Sequence, residues 1–211
     1  MKYKVGLIFS KKDYLYNIED YGKTYNLLFI TGMVGAGKST ISKEISAKYN
    51  ATTLSQDWLA WSEVYKDNKV AMQVLDEFYK ICPIAQNAAT NNLWHRDLLS
   101  KKEQYEMKIE YNKFLIDYTL KNPNKLYIIE GIDIYKVIDS SEFINRGIII
   151  KGTSVIKCFI RRYKRDKTIE NQKNIDSKIK YLKMVIKQSK TFYSRDRNIL
   201  NSLIAKIDFV K

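Results

Sequence analysis

Hydrophobic positions along the chain fall into two patterns, short unbroken apolar runs and longer stretches with helical spacing. Leu27-Leu28-Phe29-Ile30-Thr31, Ala51-Thr52-Thr53-Leu54, Leu126-Tyr127-Ile128-Ile129-Glu130-Gly131 and Gly147-Ile148-Ile149-Ile150-Lys151 have the length and composition of strands buried on both faces. Between them the spacing turns helical. Ile41 and Ile45 mark a helix over Thr40 to Lys48, closed by Asn50, while Ala71, Val74, Leu75 and Phe78 mark another that stops before Cys82-Pro83. A third runs from Lys101 to Leu120, with Ile109, Phe114, Leu115 and Tyr118 on its apolar side, and ends at Asn122-Pro123-Asn124. After the fourth strand, Gly152-Thr153-Ser154 reads as the cap of a helix carrying Val155, Ile156, Phe159 and Ile160 inward. Asp176 to Tyr193 places Ile179, Leu182, Val185, Ile186 and Phe192 opposite its lysines, Arg195 to Ile207 reads as one more helix, and Ile207 to Val210 as a fifth strand. Tyr3 to Phe9 reads as an additional strand or hairpin at the sheet edge, followed by a polar connection from Lys11 to Lys23. Strands alternating with helices predict an α/β fold of three layers: a mostly parallel sheet with helices on both faces, a helical insertion over residues 58–122, and an N-terminal extension over 1–24.

Composition bounds this picture. A chain of 211 residues accommodates one such domain, and 2 prolines with 8 glycines leave little room for long disordered linkers. No apolar run reaches the ~18 residues of a membrane span, and Met1 to Phe9 lacks a cleavable signal pattern, so a cytoplasmic protein with no membrane partner is expected. Cys82 and Cys158 stand far apart in apolar contexts beside a single histidine, which predicts buried free thiols rather than a zinc site or disulfide. The net charge of +14 favours phosphate-bearing partners, from free nucleotides to a polynucleotide; a chain rich in Lys, Asn, Ile and Tyr acquires such a charge from composition alone.

The chemistry centres on Gly32-Met33-Val34-Gly35-Ala36-Gly37-Lys38-Ser39, which fits G-x-x-x-x-G-K-[ST] between a strand and a helix. Glycines let the backbone of Gly32, Val34, Gly35, Ala36 and Gly37 turn tightly and aim N–H groups at phosphate oxygens, and the helix that starts near Thr40 adds its positive dipole end. Lys38 would reach the β and γ phosphates of ATP or another NTP, and Ser39 would ligate Mg²⁺.

Two carboxylates belong with this loop. Asp57 stands at the C-terminal end of the second strand, where open α/β sheets bind ligands, and could accept a proton from an attacking hydroxyl, hold magnesium's hydration shell, or cap the helix beginning Trp58-Leu59-Ala60-Trp61. Glu130 ends the third strand and would face Mg²⁺ directly or through water. Arg161-Arg162-Tyr163-Lys164-Arg165-Asp166 ends a helix, where its cations suit the helix dipole and also a lid, over about residues 161–175, that closes on a transferring phosphoryl group. Trp58, His95 and Arg96 are further candidates for substrate contact, the last two within the polar patch Asn91 to Asp97.

The loop, Asp57, Glu130 and the Arg161 cluster occur in an order that resembles the P-loop kinases, the group of P-loop NTPases containing nucleoside and nucleotide kinases, polynucleotide 5′-hydroxyl kinases and zeta-toxin-like kinases. The resemblance covers residues 25–57, 126–131 and 148–166 and is strongest at the loop. It implies an ATP- and Mg²⁺-dependent phosphotransferase acting on a small hydroxyl or phosphate acceptor. In it Lys38, Arg161, Arg162 and Arg165 would stabilise charge, with the arginines also near adenine, and Asp57 would activate the acceptor. The alternatives left open are a polynucleotide end kinase and an NTP-hydrolysing switch or binding module, the latter lacking a residue clearly placed to activate water.

Overall fold

Five strands form one sheet: β1 (Val5–Ile8), β2 (Leu27–Gly32), β3 (Thr52–Ser55), β4 (Tyr127–Glu130) and β5 (Arg146–Lys151), in the order β1-β5-β2-β4-β3. Every pairing among them is parallel. The computed structural model describes residues 5–8, 27–32, 35–91, 99–132, 134, 146–151, 156–158, 160–161, 163–164, 183 and 186–187. The helices are α1 (Lys38–Tyr49), α2 (Asp57–Ala60), α3 (Lys69–Ile81), α4 (Pro83–Thr90) and α5 (Lys101–Leu120). The predicted helix over 195–207 and strand over 207–210 fall outside the described residues.

The central strands are apolar at successive positions because both of their faces are covered. Leu27, Phe29, Tyr127 and Ile129 point to one side, where Trp58, Leu59, Val74, Phe78, Ala85, Tyr111 and Leu115 from α2 to α5 complete a core. Leu28, Ile30 and Ile128 point to the other, against Ile41 and Ile45 of α1. This is the three-layer arrangement expected. β1 lies at the sheet edge, paired with β5, as a short N-terminal addition.

Local chemistry sets the helix boundaries. Asn50 closes α1 in the left-handed region (φ 51°). Asn68 Oδ1 accepts from Ala71 N at 3.1 Å and starts α3. Ser100 and Glu103 form a reciprocal capping box that starts α5, Ser100 Oγ accepting from Glu103 N and Glu103 Oε2 from Ser100 N. α4 had no counterpart in the periodicity, although Pro83 at its first turn is a usual start signal.

Three expectations of facing are revised. The buried stripe of α5 is Met107, Tyr111, Leu115 and Thr119, with Asn112 and Ile116 beside it, while Ile109, Phe114 and Tyr118 flank it half-buried. The stripe runs in steps of four, and aromatic residues on both sides of it blurred its direction. In the helical residues after β5, Cys158 is buried and Ile156 is 71% exposed, with Ile160 also exposed. Ile156 and Ile160 stack one turn apart, on the side of the helix away from Cys158. Ile186, expected inward, is exposed as well.

Candidate functional site

Strand register brings the site together. Ile30 on β2 lies opposite Glu130 on β4, and Glu130 lies opposite Ser55 on β3, so β3 and β4 end level and β2 runs two residues further, to Gly32. The chain segments leaving these ends, the loop after Gly32 and the turn into Asp57, therefore open on one edge. There, a cavity of about 600 Å³ is lined by Gly35, Gly37, Lys38, Ser39, Thr40, Ser55, Asp57, Trp61, Lys108, Glu130, Gly131, Ile132 and Arg161.

The loop's backbone conformation requires glycine. Gly35 and Gly37 have φ of 79° and 95°, in the left-handed region. At Gly35 a Cβ would also lie 2.7 Å from the carbonyl oxygen of Cys158. Arg161 Nη1 donates to the carbonyl oxygens of Gly35 (3.4 Å) and Ala36 (3.3 Å), so the helix after β5 braces the loop. Lys38 Nζ donates to Gly32 O at 3.1 Å, and α1 begins at Lys38 itself, aiming its first free N–H groups into the cavity's loop side. Val34 lies outside the described residues.

Glu130 is only 7% exposed and is held by two hydroxyls. Ser39 Oγ donates to its Oε1 and Ser42 Oγ to its Oε2, each at 3.0 Å. Burial pushes its carboxyl above the ordinary value of 4.5, against the Ser42 hydrogen bond, the Lys38 charge and the Ser39 hydrogen bond, all of which favour the anion. Asp57, on the same cleft, adds to the upward shift. Ser39 and Glu130 present hard oxygen donors side by side, which fits Mg²⁺; among the described residues no group of three or more His, Cys, Asp or Glu could hold a metal. An ion there would complete its shell with nucleotide oxygens and water, as Mg²⁺ usually does.

Asp57 is exposed to the cavity at the first position of α2. The helix cap is Gln56, so the capping role considered for Asp57 is not the one it has. Its backbone N–H donates to Ser55 Oγ at 3.3 Å, fixing the turn that presents the carboxylate. Trp58 does not line the cavity: it is 4% exposed within the core, because one residue further round α2 faces the sheet. Trp61 lines it instead, one turn after Asp57, with its N–H bonded to Asp57 O at 3.0 Å. Gly131 allows this edge to close up, since a Cβ there would lie 2.2 Å from Gln56 Oε1.

Sequence reasoning missed Trp61 and Lys108, which line the cavity, and Ser42, which holds Glu130. A lysine within a long, lysine-rich helix carries no local mark, and only the tertiary fold brings Lys108 of α5 to the cavity. His95, Arg96, Arg162 and Arg165 lie outside the described residues. Both cysteines are buried and free, with burial pushing each thiol up, so neither is a poised nucleophile.

A glycine loop between a strand and a helix, with a lysine, a hydroxyl and an adjacent strand-end carboxylate, defines a P-loop nucleotide-binding domain. The chain is similar to the NB-ARC domain over residues 12–116, just under half of its length. That domain is itself a P-loop NTPase, which agrees with the P-loop nucleotide-binding class that the loop defines. The matched span holds the loop, Asp57 and Lys108 and stops before Glu130 and Arg161. No curated protein sequence matches the chain. No helix among the described residues is long and apolar enough to cross a membrane.

Proposed function

We propose that the chain is an ATP-dependent phosphotransferase that moves the γ-phosphoryl group to a hydroxyl or phosphate oxygen of a small acceptor. The observation that carries this reading is the division of labour between two carboxylates. Glu130 is engaged by Ser39 and Ser42 on the loop side, whereas Asp57 faces the same cavity from α2. A second acid at that place suits an acceptor more than a phosphate, which it would repel.

In this mechanism the loop N–H groups and Lys38 hold the nucleotide phosphates, and Arg161, already on the loop, neutralises charge that develops on the transferring group. Mg²⁺ held by Ser39 and, directly or through water, by Glu130 would neutralise phosphate charge. Asp57 orients the acceptor hydroxyl and takes its proton as the acceptor oxygen bonds to the γ-phosphorus and the bond to the nucleoside diphosphate breaks. Arg162 and Arg165 belong to this proposal as further lid cations.

A second reading, hydrolysis of NTP as a switch or binding module, is favoured by the NB-ARC similarity, which taken alone supports it better than phosphotransfer. The +14 charge keeps a polynucleotide 5′-hydroxyl among the acceptors, with a steep salt dependence expected for it. One measurement separates these. ATP consumption is followed with nucleosides, nucleotides, nucleotide sugars and 5′-hydroxyl oligonucleotides, for the native chain and Asp57→Asn. Phosphotransfer predicts that one acceptor class raises turnover, and that the variant loses about 10²-fold or more of it with nucleotide affinity changed less than about threefold. Phosphate release that no acceptor raises assigns the chain to the hydrolytic reading.

A further inference from the structure

Glu130 is held at both carboxylate oxygens by hydroxyls three residues apart on α1, and the two serines do not stand alike. Ser39 lines the cavity. Ser42 does not: it is 1% exposed, beside Ile41 and Ile45, which pack on Leu28, Ile30 and Ile128 of the sheet. Alanine would suit that place and is the better helix former, and a buried hydroxyl costs solvation unless it is bonded. The Ser42 hydroxyl has two acceptors within reach, Lys38 O at 3.1 Å and Glu130 Oε2 at 3.0 Å, but only one proton to give. The helix already pairs Lys38 O with the N–H four residues on, and a carboxylate is the stronger acceptor, so the proton belongs to Glu130.

The last torsion of a glutamate is broad, so one hydrogen bond leaves the carboxylate free to turn and a second stops it. With Oε2 fixed by Ser42, Oε1 stays where it receives the Ser39 proton. Ser39 has one proton and two lone pairs, and giving the proton to Oε1 leaves the lone pairs for the cavity that it lines. One turn further along α1, Ser46 Oγ and Thr53 Oγ1 lie 2.7 Å apart, a hydroxyl contact of the same kind that involves no acid.

We infer that Ser42 is a positioning residue for Mg²⁺: it fixes Glu130, Glu130 orients the Ser39 hydroxyl, and affinity for the ion depends on a side chain outside the cavity. The inference rests on Mg²⁺-nucleotide binding at the loop, which the phosphotransfer and hydrolytic readings share. Groups that orient metal ligands from behind are worth about 10- to 100-fold in metal affinity.

The test uses the full chain and a non-hydrolysable ATP analogue, titrated calorimetrically in excess Mg²⁺ and in EDTA; the ratio of the two affinities measures what the ion adds. The native ratio is expected to be about tenfold or more, and Ser42→Ala should cut it by about tenfold with the affinity in EDTA changed less than about twofold. Ser42→Cys keeps the shape and weakens the donor, so it should lower the ratio in the same direction and carries the prediction if the alanine variant does not fold. Ser46→Ala should keep the native ratio. In a Glu130→Gln background Ser42→Ala should cost little further, because its effect passes through the carboxylate. A native ratio in the Ser42 variants, a loss that falls equally on the affinity in EDTA, an equal loss in Ser46→Ala, or additive losses in the double variant would each overturn the inference. Analogue binding that Mg²⁺ does not strengthen in the native chain overturns it too and leaves nucleotide binding standing, whereas no binding in either condition overturns the nucleotide reading itself.

Discussion

The two halves of the cleft are built by different means. The phosphate half is mostly backbone: two glycines in the left-handed region, the start of α1, and one lysine, all within a few consecutive residues. The far half is side chains from separate elements, Asp57 from α2, Trp61 at its C-terminal cap and Lys108 from α5. Phosphate is the same in every nucleotide, so a fixed backbone shape suffices. Under the proposed phosphotransfer an acceptor varies, and side chains are the means of matching it. Near the loop Glu130 is fully satisfied, whereas on α5 the amide of Asn112 and the hydroxyl of Tyr111 find no hydrogen-bond partner among the described residues.

The strongest way to break this contrast is to remove the one side chain on which the phosphate half depends. Lys38→Ala is expected to lower nucleotide turnover by about 10²- to 10³-fold with the melting temperature little changed. Steady-state kinetics beside a thermal melt would settle it, and retained turnover would deny the loop its phosphate role. Next comes the backbone itself. Gly35→Ala meets both a φ of 79° and a carbonyl oxygen 2.7 Å away, so a stability loss of about 1–3 kcal/mol is expected, with weaker nucleotide binding. Urea unfolding that matches the native chain would mean the loop is not held in this shape.

In the core under α5 the expected effect has the opposite sign. Asn112→Leu removes a fully buried amide that lacks partners among the described residues and keeps a similar volume, so a gain of about 1 kcal/mol in unfolding free energy is expected. A loss of that size would show that the amide is satisfied in solution. The smallest effect concerns pH. Because burial raises the Glu130 carboxyl in the folded chain, the native state holds more protons than the unfolded state above pH 4.5, and stability falls as pH rises from there through the folded value. Glu130→Gln should lack that contribution, giving a flatter slope in unfolding measured across the acidic range; identical slopes would assign the titration to other groups.

Much of the architecture was legible because it follows from local periodicity. Apolar runs of four to six residues located β2, β3, β4 and β5, and Ala71, Val74, Leu75 and Phe78 fixed the inner side of α3. The edge strand Val5–Ile8 was legible too, although its pairing with β5 was not. Legibility failed where periodicity was confused by composition. On α5 tyrosines and phenylalanine on neighbouring faces hid the stripe through Met107 and Tyr111, and on the helix after β5 the small residue Cys158, not the isoleucines, faces inward.

The sequence by itself determined the phosphate site, since glycine freedom, a lysine and a hydroxyl at fixed spacing act within a single strand-loop-helix unit. It also placed Asp57 and Glu130 at strand ends. How each acid is held was decided only by the tertiary structure. Register sets Glu130 beside β2, within reach of Ser39 and Ser42, and helix rotation sends Asp57 and Trp61 to the cavity while burying Trp58. Lys108 belongs wholly to that second category. Its place in the cavity depends on where the tertiary fold sets α5, and contacts between residues far apart in the chain leave no trace in local spacing.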